Sequence, residues 1–475
     1  MTSTIIEQLA NFTAKIEFTS LPADVVDESK RLILDSVGCA LAAIDQPKGE
    51  IGIKFGRLMG GGQGGNATII GTGDSVSVFG AAFANGELIN TLDMDSVLPP
   101  GHVSPYVLPV ILAIGEAQDV SGQELIASMA LSHEMSFRLG KAMDYLRDTK
   151  DGKADPPAVY GYSSTIFGAT AAAAKMRGLS QNVIAHALGI AASISPVNSQ
   201  VAWFQHAPSS TLKYLLAGAL TQSALTASFL AELGHRGDID ILDDAEFGYR
   251  RFIGTRRWDA ERITDGLGKE WLFPPFVAIK PYPHCRILHS LLDCEAKLIK
   301  ENNITPNEIE SIKVYVEGFV EQPVWLNRKI EHVHDAQFSI AHGIAVGALG
   351  LKPGKAWQDP EIVFGAQTMA LMDKVTQEIH PDYVKHLTAN PSSKPAKIEI
   401  IARGRKFIAE SLFPKGVRSP DPESYMTTDE LVLKFLHNAS GVLSDTRANE
   451  VVDMILNLEN VKNFAPVMKK LVHDI

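Results

Sequence analysis

Three short stretches hold the side chains best suited to chemistry. Asn85 to Pro109 reads NGELINTLDMDSVLPPGHVSPYVLP. Asp93 and Asp95 end a predicted helix there, and a Pro/Gly loop then brings His102 and Ser104. An imidazole on a loop flanked by acids can serve as a base near neutral pH, because small perturbations move its pKa across that range. The plainer reading of the two aspartates is that they only accept loop N–H groups. The second stretch is Ser210-Thr211-Leu212-Lys213, a lone lysine ahead of the apolar run Tyr214 to Leu220. Such a lysine either snorkels to water or points at an anion. The third is Lys280-Pro281-Tyr282-Pro283-His284-Cys285-Arg286-Ile287-Leu288-His289, in which cations and a tyrosine cluster around two prolines. Proline fixes the backbone and so holds neighbouring side chains in place, although a structural turn alone would also use it.

The elements that must position these groups are mostly helical. Over the first ~270 residues, apolar spacing predicts helices at Asp27 to Ala43, Phe79 to Leu92, Val107 to Gln118, Gly122 to Met143, Thr165 to Met176 and Leu212 to Leu233. Composition shifts near Phe273-Pro274-Pro275, and strand-like segments follow at Ile309 to Val316, Lys397 to Ile401 and Lys406 to Ala409. Helices are predicted between them at Ile287 to Lys300 and Asp335 to Leu349. After Phe413-Pro414-Lys415-Gly416 the chain turns helical again, at Thr428 to His437 and Asp445 to Leu458, with a cap signal at Thr427-Thr428-Asp429-Glu430. The expected fold is mainly α with an α+β part. A large helical domain would be built from residues 1–274 and 413–475, and a smaller α+β lid from 275–412 would be inserted between them. The third stretch lies just past that boundary, and small-molecule sites favour domain interfaces.

Composition bounds the function. The chain has 475 residues, 44 lysines plus arginines against 55 aspartates plus glutamates, and a net charge of −11. An acidic chain is a poor nucleic-acid binder, whose affinity rests on a basic face. An anionic metabolite remains compatible, since a few inward cations suffice. Three cysteines, Cys39, Cys285 and Cys294, form no CxxC, which argues against a disulfide framework and a cysteine zinc site. The N-terminus has no secretory pattern and no run of about 18 apolar residues exists, so a soluble cytoplasmic protein without membrane contact is expected.

Two motifs mislead. Gly60, Gly62 and Gly65 satisfy GxGxxG, but a dinucleotide fingerprint follows a strand and opens a helix. Here a helix precedes and the extended Ala67 to Ile70 follows, so a surface loop is expected. His133-Glu134 lacks the second histidine of HExxH, position 137 being Phe. His332, His334 and Asp335 could ligate a metal, but no further ligand is evident and a capping role is expected.

Taken together and in order, these stretches resemble the MmgE/PrpD family, which includes 2-methylcitrate dehydratases, cis-aconitate decarboxylases and iminodisuccinate epimerases. Leu34 to Ala40 resembles its "LLDTLGxAL" helix, and Ala84 through Asp95 its "ANGxxxHxLDFDD" segment. His102 with Pro105 is similar to its "HPS" histidine, and Gly168 to Leu179 to its Ala-rich helix. Lys213 with Gly218 matches "KxxxxG", Lys280 to His289 resembles "KxYPxCxxxH", Asp335 to Ser339 resembles "AQFS", and Lys415-Gly416 the late "KG". The resemblance implies a helical domain with an inserted lid, a site between them, a homodimer, and no required metal or organic cofactor. It also implies a lyase acting on a small di- or tricarboxylate by proton abstraction next to a carboxylate. His102 would be the general base or acid, with Asp93 orienting it or moving a proton itself. Lys213, Lys280 and Arg286 would bind carboxylates, with Cys285 and Ser104 beside the substrate. Tyr160 or His289 would give a second proton-transfer group.

The chain departs from the pattern at Ser96 and Val97, and at His342, where a tyrosine is common. The family histidine ahead of the Ala-rich helix is absent, and Tyr160, Tyr162 or Ser163 falls there. Decarboxylases often have histidine where Cys285 stands. Dehydration of a 2-methylcitrate-like hydroxy acid is therefore expected first, epimerisation of an iminodisuccinate-like dicarboxylate second and decarboxylation third. A carboxylate-binding helical protein without catalysis is the alternative from another class.

Overall fold

The computed structural model describes residues 3–60, 66–143, 147–155, 157–197, 199–213 and 215–474. Gly62 and Gly65 of the glycine motif lie outside the described residues, and Gly60 closes the helix Pro47–Met59. The fold is mainly helical with an α+β part. Helices Ala23–Leu41, Val78–Thr91, Ser104–Ala117, Gly122–Ala142, Thr165–Met176 and Ala217–Glu232 form the helical body. Their starts are written in the sequence: Ser77 and Ser121 accept the backbone N–H groups of Gly80 and Glu124, satisfying donors that a helix end leaves open. These helices are buried on several sides, which suits their alanine and glycine content, since small side chains let backbones approach.

The sheet has four strands in the order Arg405–Ser411, Ala396–Ala402, Ile309–Val316, Val375–Ile379. The first three are antiparallel neighbours and the last pairs parallel with Ile309–Val316. Helices His289–Asn302 and Ile340–Gly347 pack against it. The strand Val375–Ile379 escapes sequence reading because it buries only Val375, so it lacks alternation.

Helices Thr428–Ala439 and Asp445–Leu456 both pack on Ala23–Leu41, and Ala465–Lys470 packs on Ser104–Ala117. The C-terminal segment thus returns to the first helices, across one continuous apolar core running from Ile5 to Leu471. It also reaches the loop that carries His102. The Lys434 ammonium donates to Asp35 Oδ1 at 2.5 Å and to the Met94 carbonyl at 2.8 Å, while Ser96 N–H donates to Asp35 Oδ2 at 3.0 Å.

Two helices differ from expectation. The segment Leu212 to Leu233 is not one helix: it starts only at Ala217, because Lys213 has a left-handed backbone, φ 54°, that no α-helix accommodates. Tyr214 lies outside the described residues. The segment Asp335 to Leu349 is broken at Gln337 to Ser339, where the Ser339 hydroxyl caps a new helix by accepting from His342 N–H.

Because Lys434 joins three segments through one buried ion pair, Lys434→Met should cost about 3–5 kcal/mol, the usual penalty for stranding a buried charge. Urea unfolding checks this, and a midpoint equal to that of the parent protein would contradict the arrangement.

Candidate active site

The loop between Val78–Thr91 and Ser104–Ala117 is gripped from every side. Val97 and Ala278 exchange both backbone hydrogen bonds, each at 2.9 Å, and Ile279 N–H donates to the Gly416 carbonyl at 2.9 Å. Gly416 has φ 96°, and a Cβ there would lie 1.8 Å from the Ile279 carbonyl oxygen, so no other residue fits. The segment carrying Lys280 is thereby locked onto the loop carrying Asp93. Gln337 adds a bond from its side-chain amide to the Thr91 carbonyl at 2.8 Å.

Asp93 is fully buried and sits at φ 52°. Its Oδ2 accepts from the Lys280 ammonium at 2.9 Å, and its Oδ1 faces the Lys213 ammonium at 3.3 Å. Lys280 also donates to the Asp93 carbonyl at 2.8 Å, and Lys213 to the Asn90 carbonyl. Burial alone would raise the Asp93 carboxyl, but Lys280, Lys213 and His102 hold it well below the usual carboxylate range. Burial pulls Lys213 down to about 8, against the attraction of Asp93.

His102 is buried between both aspartates. Its Nδ1 lies 2.6 Å from Asp95 Oδ2, and its Nε2 3.4 Å from Asp93 Oδ1. A carboxylate on Nδ1 fixes the N–H there and puts the basic lone pair on Nε2. Burial lowers the His102 pKa, Asp95 opposes this, and Lys280 adds to the lowering, for a net shift below the ordinary 6.5. The imidazole is therefore neutral, hence basic, at pH 7. The two aspartates do more than accept loop N–H groups, and Asp95, rather than Asp93, takes the orienting position.

His102 lines a cavity between the helical body and the α+β part. Lys280, Cys285, Arg286, Tyr162, Gln200, Arg147 and Lys394 share its wall. Lys280, Cys285 and Arg286 of the expected residues thus stand with His102, and Asp93 and Lys213 sit directly behind it. Tyr160 is elsewhere: it packs edge-on against Phe204 and Phe319, and Tyr162 lies on the wall instead, its ring centroid 6.2 Å from that of His102. His289 is also off the wall, its Nε2 2.9 Å from the His284 carbonyl and its Nδ1 2.9 Å from Arg286 Nη1. Ser104 bridges Ser96 and His133 at 3.3 and 3.1 Å, a framework role beneath the loop. His332 and Asp335 form a reciprocal helix cap, and among the described residues no group of three His, Cys, Asp or Glu side chains could hold a metal.

Sequence reasoning did not separate the roles of Asp95 and Asp93 and did not place Arg147, Gln200 or Lys394. The D-x-D spacing was a signal for the first: alternate residues of a turn can send carboxylates to different partners. Arg147 and Lys394 carried none, since each stands apart from the three chemical stretches.

Family models described as the MmgE/PrpD N-terminal domain and the MmgE/PrpD C-terminal domain match residues 7–261 and 282–460. A cis-aconitate decarboxylase from Homo sapiens is 26% identical over 483 residues, covering 98% of this chain and 93% of that protein. One from Aspergillus terreus is 23% identical over 492 residues, covering 99% and 96%. One from Mus musculus is 26% identical over 494 residues, covering 99% and 94%.

The lowered His102 pKa sets a sign. Protonation removes the base, so kcat/KM should decline on the acid side with a midpoint below 6.5, and it should decline again near pH 8 as Lys213 loses its charge. Stability should fall in the same direction, because the unfolded chain binds the proton more readily. A pH–rate profile with its acid midpoint above 6.5 would contradict the neutral imidazole.

Proposed function

The chain belongs to the MmgE/PrpD family, and because its relatives include cis-aconitate decarboxylases, lyases of a carboxylate substrate, we propose that it abstracts a proton next to a carboxylate of a small polycarboxylate. The reaction we assign is dehydration of a 2-methylcitrate-like hydroxy acid. The observation that carries this reading is the neutral His102 imidazole, held through Nδ1 by the Asp95 carboxylate, on the wall of a cavity rich in cations.

Proton loss beside a carboxylate builds enolate-like charge, which nearby cations stabilise. Lys280 stands on the cavity wall for this purpose, with Asp93 fixing its ammonium. His102 Nε2 takes the carbon-bound proton, and the imidazolium so formed is acid enough to return it to the departing hydroxyl. Asp95 steadies the charge on the ring during that interval. Epimerisation would need a second proton-transfer group on the other face. Burial pushes the Cys285 thiol up to about 11 and the Tyr162 hydroxyl well above its ordinary value, so neither exchanges protons readily at pH 7.

Decarboxylation of a cis-aconitate-like acid is the second reading, favoured by the names of the relatives. It asks His102 for the opposite protonation state, since a carbanion must be quenched. The homodimer implied by the resemblance belongs to the same proposal, and Ile51, Phe55 and Leu58, exposed on the helix Pro47–Met59, give it an apolar face to cover. Light scattering that returned a monomer mass would overturn that part.

Incubation with 2-methylcitrate should yield an ultraviolet-absorbing alkene, and His102→Asn should lower turnover by about 10²–10⁴-fold with folding intact. Carbon dioxide release from cis-aconitate, with no alkene from the hydroxy acid, would favour the second reading. Full activity of His102→Asn would overturn both.

A further inference from the structure

Charge around the cavity is not evenly compensated. Behind His102, two lysines face two aspartates: Lys213 and Lys280 are paired with Asp93, and Asp95 adjoins His102. That group leaves no surplus positive charge. On the α+β side the balance differs. Arg147 is paired with Glu317 at 2.6 Å, but Arg286 and Lys394 have no carboxylate within ion-pair distance among the described residues.

Arg286 is buried, and its guanidinium donates only to neutral acceptors: His289 Nδ1, the Lys415 carbonyl at 2.7 Å and the Pro414 carbonyl at 3.5 Å. Among the described residues its buried Nε has no partner. Among the described residues the Lys394 ammonium makes no hydrogen bond, and burial, with Arg147 nearby, lowers its pKa well below the ordinary value against the pull of Glu317. Arg286 is buried and Lys394 half-buried, and the carboxylates that act on them, Asp293 and Glu317, stand beyond ion-pair distance, so a ligand carboxylate would complete both cations.

The position of Lys394 is also built. Arg147 Nη1 donates to the Pro391 carbonyl at 2.9 Å and Nη2 to the Ser393 carbonyl, pinning the turn directly before Lys394. Lys394 N–H donates to the Leu412 carbonyl at 2.6 Å. The guanidinium that clamps this turn comes from just beyond the helix Gly122–Ala142, so the helical body itself presents Lys394 to the cavity.

We propose that Arg286 and Lys394 form an anchoring subsite for a substrate carboxylate that takes no part in the proton transfer, and that Lys394 makes the site select acids with more than two carboxylates. This deepens the function proposed above and rests on it for the identity of the substrate, though not for the subsite itself. Lys280 and Lys213 then shape the reaction end, while net anion attraction comes from the α+β side.

The test is calorimetric binding of the unreactive propane-1,2,3-tricarboxylate and of glutarate, which lacks its middle carboxylate. The parent protein should bind the tricarboxylate more tightly. Lys394→Met should lose at least tenfold in affinity for the tricarboxylate and much less for glutarate, and Lys394→Arg should restore most of the difference. Circular dichroism should show the parent fold in both variants. Tricarboxylate binding by Lys394→Met within twofold of the parent, or equal losses for both acids, would overturn the subsite. So would absence of tricarboxylate binding by the parent protein. Selective loss in Lys394→Met with no turnover of 2-methylcitrate or cis-aconitate would uphold the subsite and defeat the proposed reaction.

Discussion

A carboxylate sealed from water between two ammonium groups organises this molecule. Asp93 cannot stay charged at its depth without Lys213 and Lys280, and a bare buried carboxylate would cost several kcal/mol. The two lysines come from segments far apart in the chain, one before the helix Ala217–Glu232 and one at the entry to the α+β part. Forming the pair therefore brings the cavity walls together. Asp93 and Lys213 both adopt left-handed backbone, a conformation that costs non-glycine residues about 1–3 kcal/mol each. The ionic contacts offset that strain, which is thereby concentrated at the site.

The pairing also decides the chemistry. Were the charge of Asp93 uncompensated, its 3.4 Å approach to His102 Nε2 would draw a proton onto the ring. With two cations bound to it, Asp93 exerts little pull, and the same cations oppose a third positive charge nearby. Asp95 then has only to hold Nδ1. The division of labour between two aspartates a single residue apart follows from this: one absorbs the lysines, the other orients the imidazole.

Much of this was legible in the sequence, and what was not has physical causes. Helices such as Thr165–Met176 and Gly122–Ala142 announce themselves by apolar spacing and by caps such as Ser121, both local signals. His102, Asp93, Lys213 and Lys280 stand out because charged groups interrupt apolar or proline-rich stretches. The helix start at Ala217 was misread because an apolar run carries no mark of the turn at Lys213, whose conformation is imposed by a contact with Asp93 some 120 residues away in the chain. Tyr160 and Tyr162 are two residues apart across the start of the 3₁₀ helix Gly161–Ser164, and only packing decides that Tyr162 faces the cavity while Tyr160 sits behind the wall residues Phe204 and Phe319. Lys394 was silent for the same reason, since its significance lies in which groups fail to pair with it.

The tautomer of His102 carries the account. Nitrogen-15 resonances of the imidazole at pH 7, assigned by their loss in His102→Asn, report it directly. A protonated Nδ1 beside an unprotonated Nε2 is the expected result. A proton on Nε2, in either the neutral ring or the imidazolium, would contradict the ionic arrangement on which every later step depends.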